Sequence, residues 1–256
     1  MEQTGTPNNY FEKKTAVLLS ECDASGRMSL LAALYAFQDV ATQHSAQMGV
    51  DGVTLLRESR AHWVLTRTLV RLFERPALLG EVTVTTWPSQ PVGVRCDRNY
   101  LLTRDGRRLL DGRAEWVIMD ADTRHVRRLS STCYPAQMAY RTDKPCEQPY
   151  RRLEDCLTDR DRVDTRTIRS TDIDMVGHTN NVVYARMFLD TFPAAFFEAR
   201  EIASFEIHFL QESREGEAVG IYRRQEGADG CLFAARRADG VTTTLAALQF
   251  HPRREG

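Results

Sequence analysis

The chain has 256 residues, 42% of them hydrophobic and 27% charged, with a formal net charge of -1. That balance suits a globular chain with a substantial core, and it excludes bulk nucleic-acid binding, which needs a large basic excess to displace counterions. No apolar run approaches the ~18 residues of a membrane span. The polar stretch Met1–Asn9 has no signal-peptide core, so a cytoplasmic protein is expected.

In chain order, Thr15–Ser20 predicts a first strand and Ser29–Met48 a helix. That helix carries Leu30, Leu31, Leu34, Tyr35, Phe37 and Val40, apolar over most of its circumference, which predicts burial rather than a surface position. Strands are predicted at His62–Phe73, Glu81–Trp87, Val94–Thr103 and Leu109–Met119, with Asp105-Gly106 as a hairpin turn. Cys133–Asp161, with Pro135, Pro145 and Pro149 among many charges, reads as a linker over the surface. A strand at Val163–Ser170 and a second apolar helix over about Asn181–Arg200 follow, with Pro193 expected to kink or restart that helix. The last strands are Ala203–Leu210, Ala218–Arg223, Leu232–Arg237 and Thr242–His251, with a turn at Asp239-Gly240.

The two halves repeat. Ser20–Leu30 lies under Thr171–Asn181, so that Asp23 falls on Asp174 and Gly26 on Gly177, while Arg27, Ser29 and Leu30 replace His178, Asn180 and Asn181. Leu79-Gly80-Glu81 matches Glu215-Gly216-Glu217, and Arg104-Asp105-Gly106 matches Ala238-Asp239-Gly240. Three matches in one order indicate a duplicated unit of about 120 residues. The fold class is therefore α+β: in each copy, one buried helix wrapped by an antiparallel sheet.

Six cysteines (Cys22, Cys96, Cys133, Cys146, Cys156 and Cys231) contain no Cys-x-x-Cys pair, and free thiols are expected. His44, His62, His125, His208 and His251 have no metal-ligand spacing and are read as structural; no metal and no cofactor is expected.

The motif Asp172-Ile-Asp174-Met-Val-Gly177-His178-Thr-Asn180-Asn181-Val-Val-Tyr184, at a strand-to-helix turn, resembles that of the hotdog-fold thioesterases. The doubled form is similar to the acyl-ACP thioesterases of plants and bacteria. Trp63-Val-Leu-Thr-Arg67, Arg113-Ala-Glu-Trp116-Val-Ile-Met119 with Arg127-Arg128-Leu129, and Ile202–Glu212 carry the resemblance elsewhere. It implies two tandem hotdog domains, residues 1–134 and 162–256, joined by a linker at 135–161. It also implies catalytic Asp174, His178 and Glu212, with Gly177, Asn180, Asn181 and Trp63 meeting substrate. Two positions depart from the plant pattern: Val176 stands where asparagine is usual, and Ser213 where cysteine is common.

Thioester hydrolysis needs an activated water, an anion-stabilising site and an acyl groove; the leaving thiol, with pKa near 8.5, needs little acid. Glu212 is the candidate base. Asp174 is a second base or orients the water and the turn, and His178 orients Glu212 or polarises the carbonyl. Backbone N–H groups at Gly177 and His178 can face developing charge, and Gly177 permits close backbone approach. Asn180 and Asn181 also suit a helix cap, Tyr184 suits packing, and core packing is the alternative for Trp63, Trp87 and Trp116.

Because Arg27, Ser29 and Leu30 cannot reproduce the His-x-Asn-Asn set, one active site per chain is expected, with the first domain supplying the acyl groove. The expected partner is acyl carrier protein with a phosphopantetheine-linked acyl chain. Homodimer formation stays open. Arg124, Arg127, Arg128, Arg151 and Arg152 form a docking patch or, as the preferred reading, a solvated face. Acyl-CoA hydrolysis is the nearest alternative; an acyl-thioester hydratase or dehydratase and a non-catalytic acyl sensor are those of another class.

Overall fold

In the computed structural model, which describes residues 9–252, the chain opens with strand β1 (Phe11–Ala16) and a 3-10 turn at Leu19–Glu21. The strand ends earlier than Thr15–Ser20 predicts, because Leu18 donates its N–H to Glu21 Oε2 at 2.7 Å and curls the chain out of the sheet. Helix α1 (Leu30–Gln47) starts where Ser29 Oγ accepts the Ala32 N–H at 3.1 Å. It buries Leu30, Leu34, Phe37, Val40 and Ala41, with Phe37 stacked on Tyr100 at 4.5 Å. Tyr35, Asp39, Thr42, Gln43 and Ala46 form a solvated stripe, so the helix is covered on one side rather than nearly all round.

Helix α2 (Gly52–Ser59) is absent from the sequence reading. Its signal is Asp51, whose carboxylate accepts the N–H groups of Val53 and Thr54 at 3.0 and 3.2 Å. Strands β2 (Ala61–Leu72), β3 (Glu81–Pro88), β4 (Arg95–Arg104), β5 (Arg107–Asp120) and the short β6 (Val126–Arg127) follow. The order β1-β3-β4-β5 is antiparallel throughout. Asp105 and Gly106, at φ +51° and +76°, make the tight primed turn their sequence predicts.

The second copy repeats this plan with β7 (Arg162–Thr167), α3 (Asn181–Leu189), α4 (Phe196–Ala199), β8 (Arg200–Phe209), β9 (Ala218–Glu226), β10 (Gly230–Arg237) and β11 (Thr242–Pro252). The helix predicted to Arg200 is interrupted around Pro193, as the proline predicts, and ends one residue short. Helix α3 stops at Leu189, Pro193 sits in the gap, and Arg200 already belongs to β8. The order is β8-β11-β10-β9-β7, with Arg67–Arg71 of β2 on the free side of β8. Helix α3 buries Val182, Val183, Tyr184, Met187 and Phe188, and Phe188 meets Phe233 at 5.0 Å. Fully burying such a ring is worth ~2–3 kcal/mol. The β10–β11 turn differs from the first-copy hairpin in that only Gly240 has positive φ (+82°); both hairpins carry a bulge, at Leu102/Thr103 and at Ala235/Arg236.

Contacts divide the chain into two compact units. The first holds the residues through Cys22, Gly26–Thr66 and Phe73–Glu147; the second holds Asp23–Ser25, Arg67–Leu72 and the residues from Gln148. In each, the joining segment covers the sheet face turned away from the helix. Tyr100 and Thr86 face α1, so Trp87 points the other way; the Arg141 guanidinium lies 4.1 Å from its ring, and its indole N–H donates to the Asp143 carbonyl at 3.1 Å. In the second unit Tyr222, Ala234 and Leu245 pair across one face and pack with Leu153 and Leu157. Asp155 pairs with Arg236, and Arg151 donates its backbone N–H to Glu206 and its guanidinium to Glu226 at 2.8 and 2.7 Å.

The duplication is visible bond by bond, and it corrects one match. Leu79 N–H donates to Val17 O as Gly216 N–H donates to Ile168 O, and both positions have positive φ, +62° and +83°. Leu79, not Gly80, is therefore the counterpart of Gly216; aligning glycine on glycine shifts this stretch by one residue. Carried along the strand, the same spacing makes Arg75 the counterpart of Glu212 and Pro76 that of Ser213.

Candidate active site

The turn between β7 and α3 is built by its own backbone. Asp172 Oδ2 accepts the Arg169 N–H at 2.9 Å and its other oxygen pairs with Arg186, so the turn starts from a buried, neutralised carboxylate. Ile173 and Thr179 bridge the two sides. Asp174 Oδ1 accepts the N–H groups of Val176 and His178 at 2.9 and 3.4 Å, and its carbonyl accepts that of Gly177 at 3.0 Å. These bonds consume the two N–H groups that the sequence reading aimed at developing negative charge. Gly177 stands at φ +84° with open space around its Cβ position, so left-handed backbone, not close approach, is what requires glycine there.

The turn presents His178 to the segment following β8. His178 Nε2 lies 3.0 Å from Glu212 Oε2, and the two side chains are 25% and 24% exposed. Two side chains of catalytic type, distant in sequence, thus meet as a half-buried pair open to solvent. Arg214 donates to Glu212 Oε1 at 3.1 Å, and Arg237 donates to the Glu212 carbonyl at 3.1 Å. Thr179 fastens the turn to this segment: its N–H and its hydroxyl both donate to the Ser213 carbonyl, at 3.0 and 2.9 Å. Arg214, Arg237 and Thr179 are absent from the sequence reading; only Thr179, inside the motif, had any signal there.

Asn180 Oδ1 accepts the Val182 N–H at 2.9 Å and caps α3. The Asn181 carboxamide is half-buried and makes no hydrogen bond among the described residues. Ser213 is fully buried, so its hydroxyl is not presented as a nucleophile. Tyr184 is buried as expected of a packing residue; burial raises its phenol pKa, and the hydroxyls of Ser213, Thr179 and Thr243 beside it oppose that rise. The Tyr184 and Ser213 hydroxyls nonetheless stand outside hydrogen-bonding geometry. Met175, Val176 and Leu210 are exposed apolar side chains of these segments, Val176 at 54%.

Trp63 is placed in the first unit, where its indole N–H donates to the Val50 carbonyl at 2.8 Å and its ring packs edge-on to Trp116 and Tyr134. Of the basic residues, Arg127 pairs with Asp120 and bonds the Ser59 and Ser131 carbonyls, and Arg151 and Arg152 pair with Glu226 and Glu154. Buried His44 and His208 bond Arg98 and Glu206, at 3.0 and 2.7 Å, as structural groups do.

The family model described as the acyl-ACP thioesterase N-terminal domain matches residues 8–135, and that of the C-terminal domain matches residues 157–252. Among curated proteins, the chain is 24% identical to oleoyl-acyl carrier protein thioesterase 1, chloroplastic, of Arabidopsis thaliana, over 71% of this chain and 54% of that protein. It is 27% identical to dodecanoyl-[acyl-carrier-protein] hydrolase, chloroplastic, of Cinnamomum camphora, over 79% of this chain and 56% of that one. The chain thus spans little more than half the length of these relatives. Solved structures share the fold: an acyl-ACP thioesterase from Bacteroides thetaiotaomicron (TM-score 0.84, 22% identity, 95% of this chain and 98% of that one) and the 12:0-ACP thioesterase from Umbellularia californica (0.80, 20%, 97% and 100%). The two-domain hotdog architecture expected from the sequence is therefore the architecture found. The cytoplasmic placement is corrected: the curated relatives are named as chloroplast proteins, which removes the ground for it.

Proposed function

The chain belongs to the acyl-ACP thioesterase family, and from that premise we propose that it hydrolyses the thioester of fatty acyl carrier protein to a free fatty acid. The observation that carries the reading is the His178–Glu212 pair at 3.0 Å, His178 on the turn and Glu212 on the segment after β8 that Thr179 fastens to it. Glu212 takes a proton from water as the water oxygen attacks the thioester carbon. Collapse of the tetrahedral intermediate breaks the C–S bond, and the proton passes to the leaving thiolate, whose stability makes a strong acid unnecessary. His178, with Nε2 3.0 Å from Oε2, keeps the carboxylate aimed.

Asp174, in this reading, acts through the turn it bonds. With Asn180 spent as a cap, the Asn181 carboxamide is the side-chain donor left for the substrate carbonyl. Gly177 shapes the turn that faces the substrate, and Ser213, buried, leaves water as the nucleophile. The first domain, residues 1–134, supplies the acyl groove, with Trp63 on its wall; the second, residues 162–256, carries the site, and 135–161 joins them. The partner is acyl carrier protein bearing a phosphopantetheine-linked acyl chain.

The test is steady-state hydrolysis by the purified chain, comparing acyl-ACP with acyl-CoA across chain lengths. Preferential turnover of carrier-protein esters is expected. Equal or better turnover of CoA esters overturns the partner, and no thioester hydrolysis at all overturns the reaction.

A further inference from the structure

The duplication isolates one side chain that no part of the reading above assigns. In both copies the residue after the His178 position ties the turn to the neighbouring segment through its backbone: Met28 N–H donates to Pro76 O at 2.9 Å, and Thr179 N–H to Ser213 O at 3.0 Å. Around that tie the two frames agree. Ser25 N–H reaches Asp23 Oδ1 at 2.9 Å as Val176 N–H reaches Asp174 Oδ1, and Ser29 N–H reaches Glu21 O at 2.8 Å as Asn180 N–H reaches Asp172 O. A bridge links Cys22 to Met28 as one links Ile173 to Thr179. The first copy carries a further backbone bond across the same segments, Leu78 N–H to Gly26 O at 2.9 Å, beside a bridge of Arg27 to Ala77.

Thr179 adds a second bond, from its buried hydroxyl to the same Ser213 carbonyl at 2.9 Å; Met28 has no hydroxyl to add one. The copy with His178 beside Glu212 is the one in which a side chain of the turn supplies the second bond to the Ser213 carbonyl. In the other copy those two places hold Arg27 and Arg75, and Arg27 reaches the Arg75 carbonyl at 3.0 Å. Thr179 adjoins His178 and Ser213 adjoins Glu212, so the doubled bond fixes the two segments within one residue of each member of the pair.

We propose that Thr179 is a positioning residue: its hydroxyl bond to the Ser213 carbonyl sets the His178–Glu212 spacing. This rests on the hydrolase reading for its rate effects. A second bond from the same residue narrows the turn's freedom to pivot about the shared acceptor. Small misplacements of reacting groups cost disproportionately in rate.

The experiment compares Thr179→Val, which keeps shape and loses the donor, with Thr179→Ser, which keeps the donor, in the full chain. Thr179→Val should lower kcat about tenfold with KM within about twofold, and Thr179→Ser should stay within about twofold of wild type. Met28→Thr, in the first copy, should leave kcat unchanged. In parallel, the imidazole nitrogen resonances of His178 are followed by NMR without substrate, and Thr179→Val should shift them while Thr179→Ser restores them. If the wild-type chain hydrolyses no thioester, the hydrolase reading fails and the NMR arm still decides the positioning. Unchanged kcat and unchanged His178 resonances in Thr179→Val, or a Ser variant as impaired as the Val variant, overturns the proposal.

Discussion

Two turns, at residues 22–30 and 173–181, share a backbone and differ in what they present. Each is opened by a carboxylate that accepts an N–H three residues back, Glu21 from Leu18 and Asp172 from Arg169. Each continues through an aspartate that accepts the N–H two residues on, and ends in a capped helix, α1 or α3. Glycine occupies the left-handed position in both, at φ +70° in Gly26 and +84° in Gly177. The contrast lies in the side chains around the pair, among them Arg27 for His178, Met28 for Thr179, Leu30 for Asn181 and Arg75 for Glu212. Keeping the frame while losing these teaches that the aspartates and glycines belong to the fold of the turn, whereas the paired imidazole and carboxylate belong to the second copy alone.

The largest effect should come from that pair. Glu212→Ala and His178→Ala should each lower kcat by about 10² or more, and the double variant should fall little further, since groups acting as a unit are not additive. Arg27→Ala, at the first-copy counterpart of His178, should stay within about twofold. A hundredfold loss there would break the comparison and require a site in each copy. Asp174→Asn keeps an oxygen to accept the Val176 N–H, so its loss should be about tenfold or less; a loss equal to that of Glu212→Ala would make Asp174 a base.

How far this was readable from sequence depends on whether the signal was local. Helix α1 followed from its apolar spacing, the break at Pro193 from the missing N–H, and the turn of β4–β5 from Asp105-Gly106. Helix α2 was missed because its eight residues form too short a window for periodicity, leaving Asp51 as the only mark. The pair at the site was accessible only through family likeness: nothing local to Glu212 says that the chain beyond β8 returns beside His178. The Thr179 tie was hidden for a related reason, since its acceptor is a backbone carbonyl 34 residues away, and carbonyls have no sequence signature. The shifted match at Gly80 arose because glycine is the usual left-handed residue, yet Leu79 holds that place, 71% exposed.

That exception yields the next test. A side chain in left-handed backbone costs roughly 1–2 kcal/mol, whereas glycine bears mainly the entropy of its freer unfolded chain. Gly216→Ala should therefore destabilise the chain by about 1 kcal/mol, measured by urea unfolding, with no clash because the space at its Cβ is open. Leu79→Gly should stabilise by less than about 1 kcal/mol, its relief partly offset by that entropy. Destabilisation by Leu79→Gly would show that the leucine side chain contributes more than its backbone costs, and the two positions would no longer be equivalent.

The smallest effect concerns how each first strand is tied down where it begins. Tyr10, just before β1, lies under the Arg141 guanidinium, 5.5 Å from its ring centre, and the same guanidinium covers Trp87. At the matching places of the second copy, Asp161 and Arg224 form a bidentate ion pair with N–O distances of 3.0 and 2.5 Å. Arg224 and the Thr158 N–H hold the Asp161 carboxyl well below the usual carboxylate range. A depressed folded pKa means that the tie contributes fully above about pH 4, where the unfolded carboxyl is also ionised, and is lost as pH falls through the folded value. In the first copy the contact to Tyr10 is a cation–ring one, and the carboxylate there, Asp143, bonds the Arg141 guanidinium rather than the start of the strand. Asp161→Asn should thus be slightly less stable than wild type at pH 7, and the difference should shrink below pH 4 as the carboxyl of the unfolded wild-type chain gains its proton. Urea midpoints measured from pH 7 to pH 3 read this directly. A gap between the two proteins that stays constant across that range would mean that the ion pair does not set the second copy's acid response, and that the two ties differ in chemistry without differing in consequence.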